Sequence, residues 1–130
     1  AIGDVQQFRK DLEAALGSYD QALTLFRQVG DRLGEANTYR SMGRLEQARE
    51  RFAEALPHFD QALALHRAMD DQYSEAVDRR QRADSLIELG RLADARADLE
   101  FALAVYTALE LPYVAWVQEK LAALDDSQES

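Results

Sequence analysis

The chain has 130 residues, of which 47% are hydrophobic, and this is enough for one domain with a continuous core. Its formal net charge of −9 at pH 7 disfavours nucleic acid as a partner, because an acidic surface repels phosphate backbones. The absence of cysteine excludes disulfides and thiolate metal sites and fits a reducing compartment, so we expect a cytoplasmic protein. No apolar run approaches the roughly 20 residues of a membrane helix, so no membrane partner is expected.

The first long predicted helix carries apolar residues at steps of three and four, which place them all on one helix face. These positions are Leu12, Ala15, Leu16, Tyr19, Ala22, Leu23, Phe26 and Val29. The same stripe returns from Phe52 to Met69, and again from Leu92 to Leu109, interrupted only by His66 and Arg96. Nothing alternates with the period of two that a strand requires, so the chain is predicted to be all-α.

The same period also appears as a repeated phrase, since residues 21–37 and 61–77 agree at eight positions. The shared residues are Gln21/Gln61, Ala22/Ala62, Leu23/Leu63, Leu25/Leu65, Arg27/Arg67, Asp31/Asp71, Glu35/Glu75 and Ala36/Ala76. Shorter helices between the stripes carry a small residue at a fixed place, which lets a second helix approach closely; these are Gly3, Gly43, Ala83, and Ala122 or Ala123. A fixed period of this length predicts a stack of antiparallel helix pairs, helix A followed by helix B.

The repeat period predicts the corners of this stack, and turn-forming residues mark the B–A corners and, among the A–B corners, the last one, which has a glycine. The A–B corners are expected near Lys10–Asp11, Glu50–Arg51 and Gly90–Arg91, and the B–A corners at Gly30–Asp31, Asp70–Asp71 and Leu111–Pro112. Gly17 and Pro57 occupy the same repeat position inside successive predicted B helices, with Ala97 as the third copy. Because Gly and Pro weaken a helix interior, we expect this position on the outer face, with a bend or a late helix start.

These residues resemble the tetratricopeptide repeat family, whose motif has Leu-Gly in helix A and alternating aromatic and Ala residues in helix B. The middle unit offers Met42–Gly43 and then Phe52, Ala55, Phe59 and Ala62. The linker Gly30, Asp31, Gly34, Glu35, Ala36 is similar to that of the 40-residue variety common in bacterial regulators and scaffold proteins. Arg82 stands where the family has Leu, and Glu46 replaces the family's helix A aromatic; these departures concern the packing of the A helices and not the class.

The resemblance implies a right-handed α-solenoid of antiparallel helix pairs, forming one domain over residues 1–124. Its units are expected at 1–30, with a truncated first helix, at 33–70 and at 73–110, followed by a capping helix at 112–124. We expect Trp116 to anchor that cap in the core. Residues 125–130, DDSQES, are expected to form a disordered tail. The chain starts mid-pattern, so we expect it to be part of a longer protein, and nothing at its N-terminus has the pattern of a signal peptide.

In this family helix A lines a concave groove that binds proteins or peptides. Arg40, Arg80 and Lys120 recur at one position of successive A helices, and Arg44 lies one turn after Arg40. This cationic ladder suits an acidic peptide or a free C-terminal carboxylate. The competing interpretation is a solvated helix face, in which Asp84 and Glu88 neutralise Arg80. The candidate partner-binding residues are Asn37, Arg40, Arg44, Gln47, Val77, Arg80, Asp84 and Lys120.

Chaperone-binding members of the family hold a carboxylate with a clamp of Lys and Asn residues. Here Arg40 and Arg44 take those places, so that specificity is not carried over.

Catalytic and metal motifs are not found in the sequence. Its two histidines, His58 and His66, have no evident third ligand or base partner, and no phosphate loop or nucleophile elbow occurs. We therefore predict a non-enzymatic interaction module without cofactor or metal. Three alternatives remain: a spacer that self-associates through solenoid ends such as the apolar Ile2 and Phe8, a helical bundle without a groove, and an enzyme.

Overall fold

A computed structural model describes residues 2–129, with the environment of the side chains described for residues 5–126. Over this range the chain forms six α-helices in succession and no strand. The helices are α1 (Ile2–Val29), α2 (Arg32–Ala48), α3 (Phe52–Ala68), α4 (Gln72–Glu88), α5 (Leu92–Ala108) and α6 (Val114–Glu129). Each helix packs against the next, and the all-α solenoid predicted from the period is confirmed.

A residue in the left-handed backbone region closes every corner between the helices, and these residues recur at a constant spacing of half a repeat. They are Gly30, Glu50, Asp70, Gly90 and Glu110, with φ values between 55° and 76°. In each corner the N–H of the following residue bonds to a carbonyl five positions back, as from Asp31 to Phe26 over 2.8 Å. This hydrogen bond satisfies the last free carbonyls of the helix. Five of the six predicted corners are therefore confirmed.

The repeated phrase shapes the B–A corners. The side chains of Asp31 and Asp71 accept hydrogen bonds from the N–H groups of Gly34 and Ser74, which caps α2 and α4. Such a cap contributes about 1 kcal/mol to helix stability. One turn before each corner an arginine reaches across it to a glutamate, from Arg27 to Glu35 and from Arg67 to Glu75. The two stretches are alike because they build the same corner twice.

The predicted corner at Lys10–Asp11 is wrong, because α1 continues from Ile2 to Val29 without a break. A corner here would hold Lys10 in the left-handed region, which costs roughly 1–2 kcal/mol in a residue other than glycine. Glu50 bears the same strain, but a well-packed helix lies on each side of it. Val5 and Phe8, the apolar side chains ahead of Lys10, are 53% and 56% exposed, so little burial is available to offset the strain. The environment of Gly3 and Ile2 lies outside the described side chains.

The close approach predicted from the small residues is confirmed at Gly43. A Cβ atom placed on Gly43 of α2 would lie 2.8 Å from the ring of Phe59 on α3. In the next unit Ala83 and Leu99 are both buried at the same repeat positions. The same two repeat positions thus hold Gly43 and Phe59 in one unit, and Ala83 and Leu99 in the next.

Arg82 takes the place of the family's Leu without disrupting the packing. Its guanidinium donates to both carboxylate oxygens of the buried Asp98 on α5, at 2.8 and 2.6 Å, and to Asp60 on α3. The hydrogen bonds to Asp98 raise the pKa of Arg82 above its ordinary value, and Asp60 adds to the effect despite the opposing influence of burial. An ion pair between helices therefore replaces an apolar contact at this position.

The prediction of an exposed outer position for Gly17, Pro57 and Ala97 is confirmed. The late helix start is not observed, because α3 begins at Phe52, the repeat position at which α5 begins at Leu92.

The cap is held by other residues than the one predicted. Val117 and Leu124 are the buried residues of α6, whereas Trp116 is 37% exposed, so the prediction that Trp116 anchors the cap in the core is wrong. Position 116 corresponds to Ala36 and Ala76, which are fully buried, and an indole is too large for that space. The helix also continues to Glu129, where a tail was expected from residue 125, and Ser130 lies outside the described residues.

The inner side of the stack is formed by the A helices. The backbones of α2 and α4 contact each other, although α3 separates these helices in the sequence. The backbones of α3 and α5 do not approach as closely within the described residues. The backbones of α4 and α6 also stay farther apart, and only side chains bridge them. None of the described helices is long and apolar enough to span a lipid bilayer.

Candidate functional site

The inner side of the stack contains two regions of different character. We call the region between α2, α3 and α4 the polar half, formed by Asn37, Arg40, Gln47, His66 and Asp78. We call the region between α4, α5 and α6 the aromatic half, formed by Tyr73, Arg80, Tyr106, Tyr113, Trp116 and Lys120.

Asp78 is the centre of the polar half and is fully buried. Its Oδ1 accepts a hydrogen bond from Arg40 Nε at 2.7 Å, and Arg40 Nη2 also donates to the backbone carbonyl of Ser74 at 3.1 Å. The positive charge of Arg40 is thus neutralised by a carboxylate of the neighbouring A helix. A buried pair of this kind leaves little of the cation for a ligand.

His66 extends the same network and is also fully buried. Its Nδ1 lies 2.5 Å from Asp78 Oδ2, and its Nε2 lies 3.2 Å from Asn37 Oδ1. Both ring nitrogens are therefore engaged, and the imidazole is held between an exposed amide and a buried carboxylate. This arrangement orders α2, α3 and α4 relative to one another.

Gln47 closes the other end of the polar half. Its side-chain amide donates to the backbone carbonyl of Gln81 at 2.7 Å and to the hydroxyl of Ser85 at 2.9 Å. Arg44 is separate from this network: it is exposed and lines a shallow depression with Tyr19, Ser41 and Leu45.

Arg80 is the central cation of the aromatic half. Its Nε donates to the hydroxyl of Tyr106 at 3.2 Å, and its guanidinium carbon lies 5.1 Å from the centre of the Trp116 indole. No carboxylate of the described residues forms an ion pair with it. Asp84, which the competing interpretation assigned to Arg80, lies instead 3.5 Å from Lys120 Nζ.

Lys120 shares the indole with Arg80, because its Nζ also lies 5.1 Å from the centre of the Trp116 ring. Both cations are therefore held over one aromatic ring, while the nearby Asp84 balances only one of their charges. A cation over an aromatic face contributes about 0.5–1 kcal/mol at exposed sites. The indole thus holds two positive charges close to each other, and its attraction for each of them offsets part of their mutual repulsion.

Three tyrosines adjoin these cations. Tyr106 is buried, and its ring centre lies 6.3 Å from that of Tyr73 and 5.4 Å from that of Tyr113. Tyr73 and Tyr113 remain 43% and 46% exposed. The aromatic half therefore presents apolar surface beside positive charge.

The structure divides the eight predicted site residues between these surroundings. Asn37, Arg40 and Gln47 belong to the polar half, Arg44 stands apart, and Val77 is buried. The other three, Arg80, Asp84 and Lys120, meet at the aromatic half.

The sequence analysis missed Asp78 and the exposed aromatic residues. For the first, the available signal was an acid close to the repeat position that follows Arg40. For the second, Tyr113 and Trp116 lie close together in the sequence, beside the corner that follows Tyr106.

Within the described part of the chain, no group of three His, Cys, Asp or Glu side chains is arranged to hold a metal ion. His66 is occupied as described above, and the Nδ1 atom of His58 is buried without a hydrogen-bond partner in the structure. We find no pairing of a nucleophile with a base on the inner side of the described helices.

Comparison with known proteins agrees with the architecture. A family model of the tetratricopeptide repeat matches residues 1–68, which include α1, α2 and all of α3. No curated protein matches the chain significantly. Proteins of this family are in general interaction modules. The matched residues make up more than half of the 130, and the helix pairs continue in the same register beyond them, so the chain belongs to the tetratricopeptide repeat family.

Proposed function

We propose that the chain is a non-catalytic module that binds an acidic segment of a partner protein in its concave groove, with the aromatic half as the point of contact. Arg80 is the observation that carries this proposal. It is half-buried, oriented by Tyr106 and Trp116, and without a carboxylate partner among the described residues. A guanidinium in this state is suited to a carboxylate, either of a side chain or of a chain terminus.

The cationic ladder predicted from the sequence becomes shorter in this proposal. Arg40 is neutralised by Asp78, so the binding charges are Arg80 and, after release from Asp84, Lys120. The Lys120–Asp84 ion pair is easier to open than the Arg40–Asp78 pair. The distance from Lys120 Nζ to Asp84 Oδ1 is 3.5 Å, and both side chains are about two-fifths exposed.

The net charge of −9 opposes an acidic ligand at long range but does not prevent contact. Screening at physiological ionic strength limits interactions between exposed charges to about 8 Å. Within that distance the ligand meets Arg80, which has no carboxylate partner among the described residues, and Lys120, which Asp84 balances. We therefore expect slow association at low salt and affinity set by the local contacts.

The absence of turnover, cofactor and metal is part of the same proposal. It is supported by the engagement of His66 in a structural network and by the neutral pairing of Arg40. Location in a reducing compartment such as the cytoplasm also belongs to the proposal, since the chain has no cysteine.

The test uses two amidated peptides of Gly and Ser, one with several Asp and Glu residues and one with Asn and Gln in their places. Calorimetry measures their binding to the wild-type chain, to Arg80→Glu and to Arg91→Glu. Arg91 is a matched control, because it is exposed, lies at the α4–α5 corner and, among the described residues, pairs only with Asp94. We expect the acidic peptide to bind and to lose about tenfold or more in affinity only with Arg80→Glu.

Equal affinity for the wild type and Arg80→Glu would place any acidic site elsewhere. Failure of the wild type to bind the acidic peptide would remove the proposal and favour the second candidate.

That second candidate is self-association through the solenoid end. It is favoured by Val5 and Phe8, whose side chains are more than half exposed on the N-terminal part of α1. Sedimentation velocity of the wild type beside Phe8→Ser tests it. A concentration-dependent dimer that the substitution abolishes would support it, and a monomer in both cases would exclude it.

A further inference from the structure

The aromatic half has a direction, with aromatic side chains at one end and charges at the other. On α4 one stripe runs from Tyr73 through Val77 to Arg80 and Asp84, at helical spacings of four, three and four. On the facing side Tyr113 precedes Trp116, which is followed by Lys120. Both rows therefore begin with a tyrosine and end at the ion pair between Asp84 and Lys120.

Exposed aromatic side chains concentrate at this place. Among the described residues four are exposed, and three of them, Tyr73, Tyr113 and Trp116, lie in the aromatic half. Tyr106, in contact with both tyrosines, is only 1% exposed and offers no surface of its own. The outer faces of Tyr73 and Tyr113 are thus available to an apolar side chain of a ligand.

The charged end is oriented as well. The Nε–H of Arg80 donates to the hydroxyl of Tyr106, and the guanidinium carbon lies 5.1 Å from the centre of the Trp116 ring. The Nη edge is the part of the group that remains for a carboxylate, and its N–H groups can donate two parallel hydrogen bonds.

The two ends are separated by a length that translates into residues of a ligand. Tyr73 and Arg80 lie seven residues apart on α4, which corresponds to about 10.5 Å along a helix. An extended chain advances about 3.3 Å per residue, so about three residues cover the distance.

We infer that the partner segment is extended and carries a bulky apolar side chain three positions from an aspartate or glutamate. The apolar side chain lies against Tyr73 and Tyr113, and the carboxylate pairs with Arg80. A second acidic residue beyond the first reaches Lys120. This inference rests on the proposed function and adds to it the chemistry and spacing of the ligand.

Trp116 makes the test direct, because it is the only tryptophan of the chain and lies in the site. Its fluorescence reports binding of short amidated peptides of Gly and Ser that contain one Phe and one Glu. The series places Glu about one, three or six positions from Phe, in both directions, and includes peptides with Phe→Ser or Glu→Gln. We expect a three-position peptide, in one of the two directions, to bind about tenfold more tightly than the peptides of other spacings and the peptides without Phe or Glu.

Two protein variants assign the two ends. With Tyr73→Ser/Tyr113→Ser, replacing Phe in the peptide should no longer change the affinity, while replacing Glu still does. With Arg80→Gln the reverse is expected. Both changes are at side chains that are exposed or half-buried, and circular dichroism verifies that the helices are retained.

The outcomes separate this inference from the proposal beneath it. If peptides with Glu bind equally with and without Phe, or at every spacing, the inference is overturned while acidic binding stands. If the highly acidic peptide of the preceding test also fails to bind, both are overturned. If the tyrosine variants keep the full effect of Phe, the apolar contact lies elsewhere and the assigned site is wrong.

Discussion

The polar half and the aromatic half occupy equivalent places in successive repeats, and two positions explain why they differ. Arg40 meets Asp78 on the next A helix, but the repeat position that follows Asp78 holds the uncharged Gln118, so Arg80 has no corresponding acid. His66, which bonds to Asp78, is replaced by Tyr106, which bonds to Arg80. One helix pair thus satisfies its own charges, and the next leaves Arg80 without a carboxylate partner among the described residues.

A residue type that recurs at one repeat position does not have to keep the same role in each repeat. Arg40 holds helices together, whereas Arg80 lies beside exposed aromatic rings. The decisive difference is the partner on the following helix, which the arginines themselves do not reveal.

The largest expected effect comes from removing the acid of the polar half. Asp78→Asn leaves Arg40 without its carboxylate at a fully buried position, and we expect a loss of about 3–5 kcal/mol in the free energy of unfolding. Asp84→Asn in the aromatic half is the matched control and should cost less than about 1 kcal/mol, because that carboxylate is 44% exposed. Urea unfolding of both variants measures the contrast, and equal costs would show that the two halves do not differ in this way.

The second effect concerns the contact between A and B helices in the two units. Gly43→Ala puts a Cβ against the Phe59 ring and should destabilise the chain by about 1–3 kcal/mol. Adding Phe59→Leu reproduces the Ala83 and Leu99 pair of the next unit, so the double variant should recover part of the loss. Thermal unfolding of the two single variants and the double variant tests this coupling, and purely additive losses would contradict it.

The third effect converts the aromatic half toward the polar one. Gln118→Asp supplies an acid at the repeat position of Asp78, where it is expected to pair with Arg80. We expect the affinity for the acidic peptide to fall about tenfold, with a stability change below about 1 kcal/mol. Glu119→Gln, at the next and exposed position, serves as a control that should not weaken binding. Unchanged affinity in Gln118→Asp would mean that the register does not extend to α6.

The smallest effect is a dependence on pH at the corner before α4, where Asp71 stands and the following repeat has the uncharged Leu111. Partial burial alone would raise the pKa of Asp71, but the hydrogen bond from the Ser74 N–H, with His66 and Arg40 nearby, outweighs it and lowers the pKa below the ordinary value of 3.8. A lowered pKa stabilises the fold above the ordinary value, and this contribution is lost as the pH falls through the folded-state value.

Asp71→Ala should therefore cost about 1 kcal/mol near neutral pH, as expected for an N-cap. The difference in the free energy of unfolding between Asp71→Ala and the wild type should become smaller at about pH 3. Urea unfolding at both pH values measures this, and a difference that widens on acidification would contradict the assigned direction.

Local signals allowed most of the architecture to be predicted. The stripe of apolar residues predicted the helices, and Gly, Asp and Pro marked four corners, because each of these features acts within a few residues of the chain. The repeat period placed the fifth confirmed corner, Glu50–Arg51. Lys10–Asp11 failed as a corner since its formation depends on how much surface the preceding segment buries, which turn chemistry does not report. Trp116 failed for a related reason: the size of the space at its position is decided by the neighbouring helix.

The groove residues were predictable only as positions. Equal spacing placed Arg40, Arg80 and Lys120 in one row, but the ion pairs of the row depend on residues of the next A helix. A search for an acid two residues before the next repeat position would have separated Arg40, which has Asp78 there, from Arg80, which has Gln118. The exposure of Tyr73 and Tyr113 could not be predicted in this way, because tyrosine occurs both in protein cores and on protein surfaces.

The spacing of the left-handed residues has a consequence for how such a chain changes length. The left-handed corner residues share one backbone geometry; they are Gly30, Glu50, Asp70, Gly90 and Glu110. Two corners that lie one full repeat apart can therefore be joined to each other, and the segment between them can be removed or duplicated. Joining residue 50 directly to residue 91 would remove one B helix and one A helix while leaving the remaining corners intact. Unequal genetic exchange between repeats could therefore lengthen or shorten the groove in whole units, and a binding half could be gained or lost without rebuilding the rest of the stack.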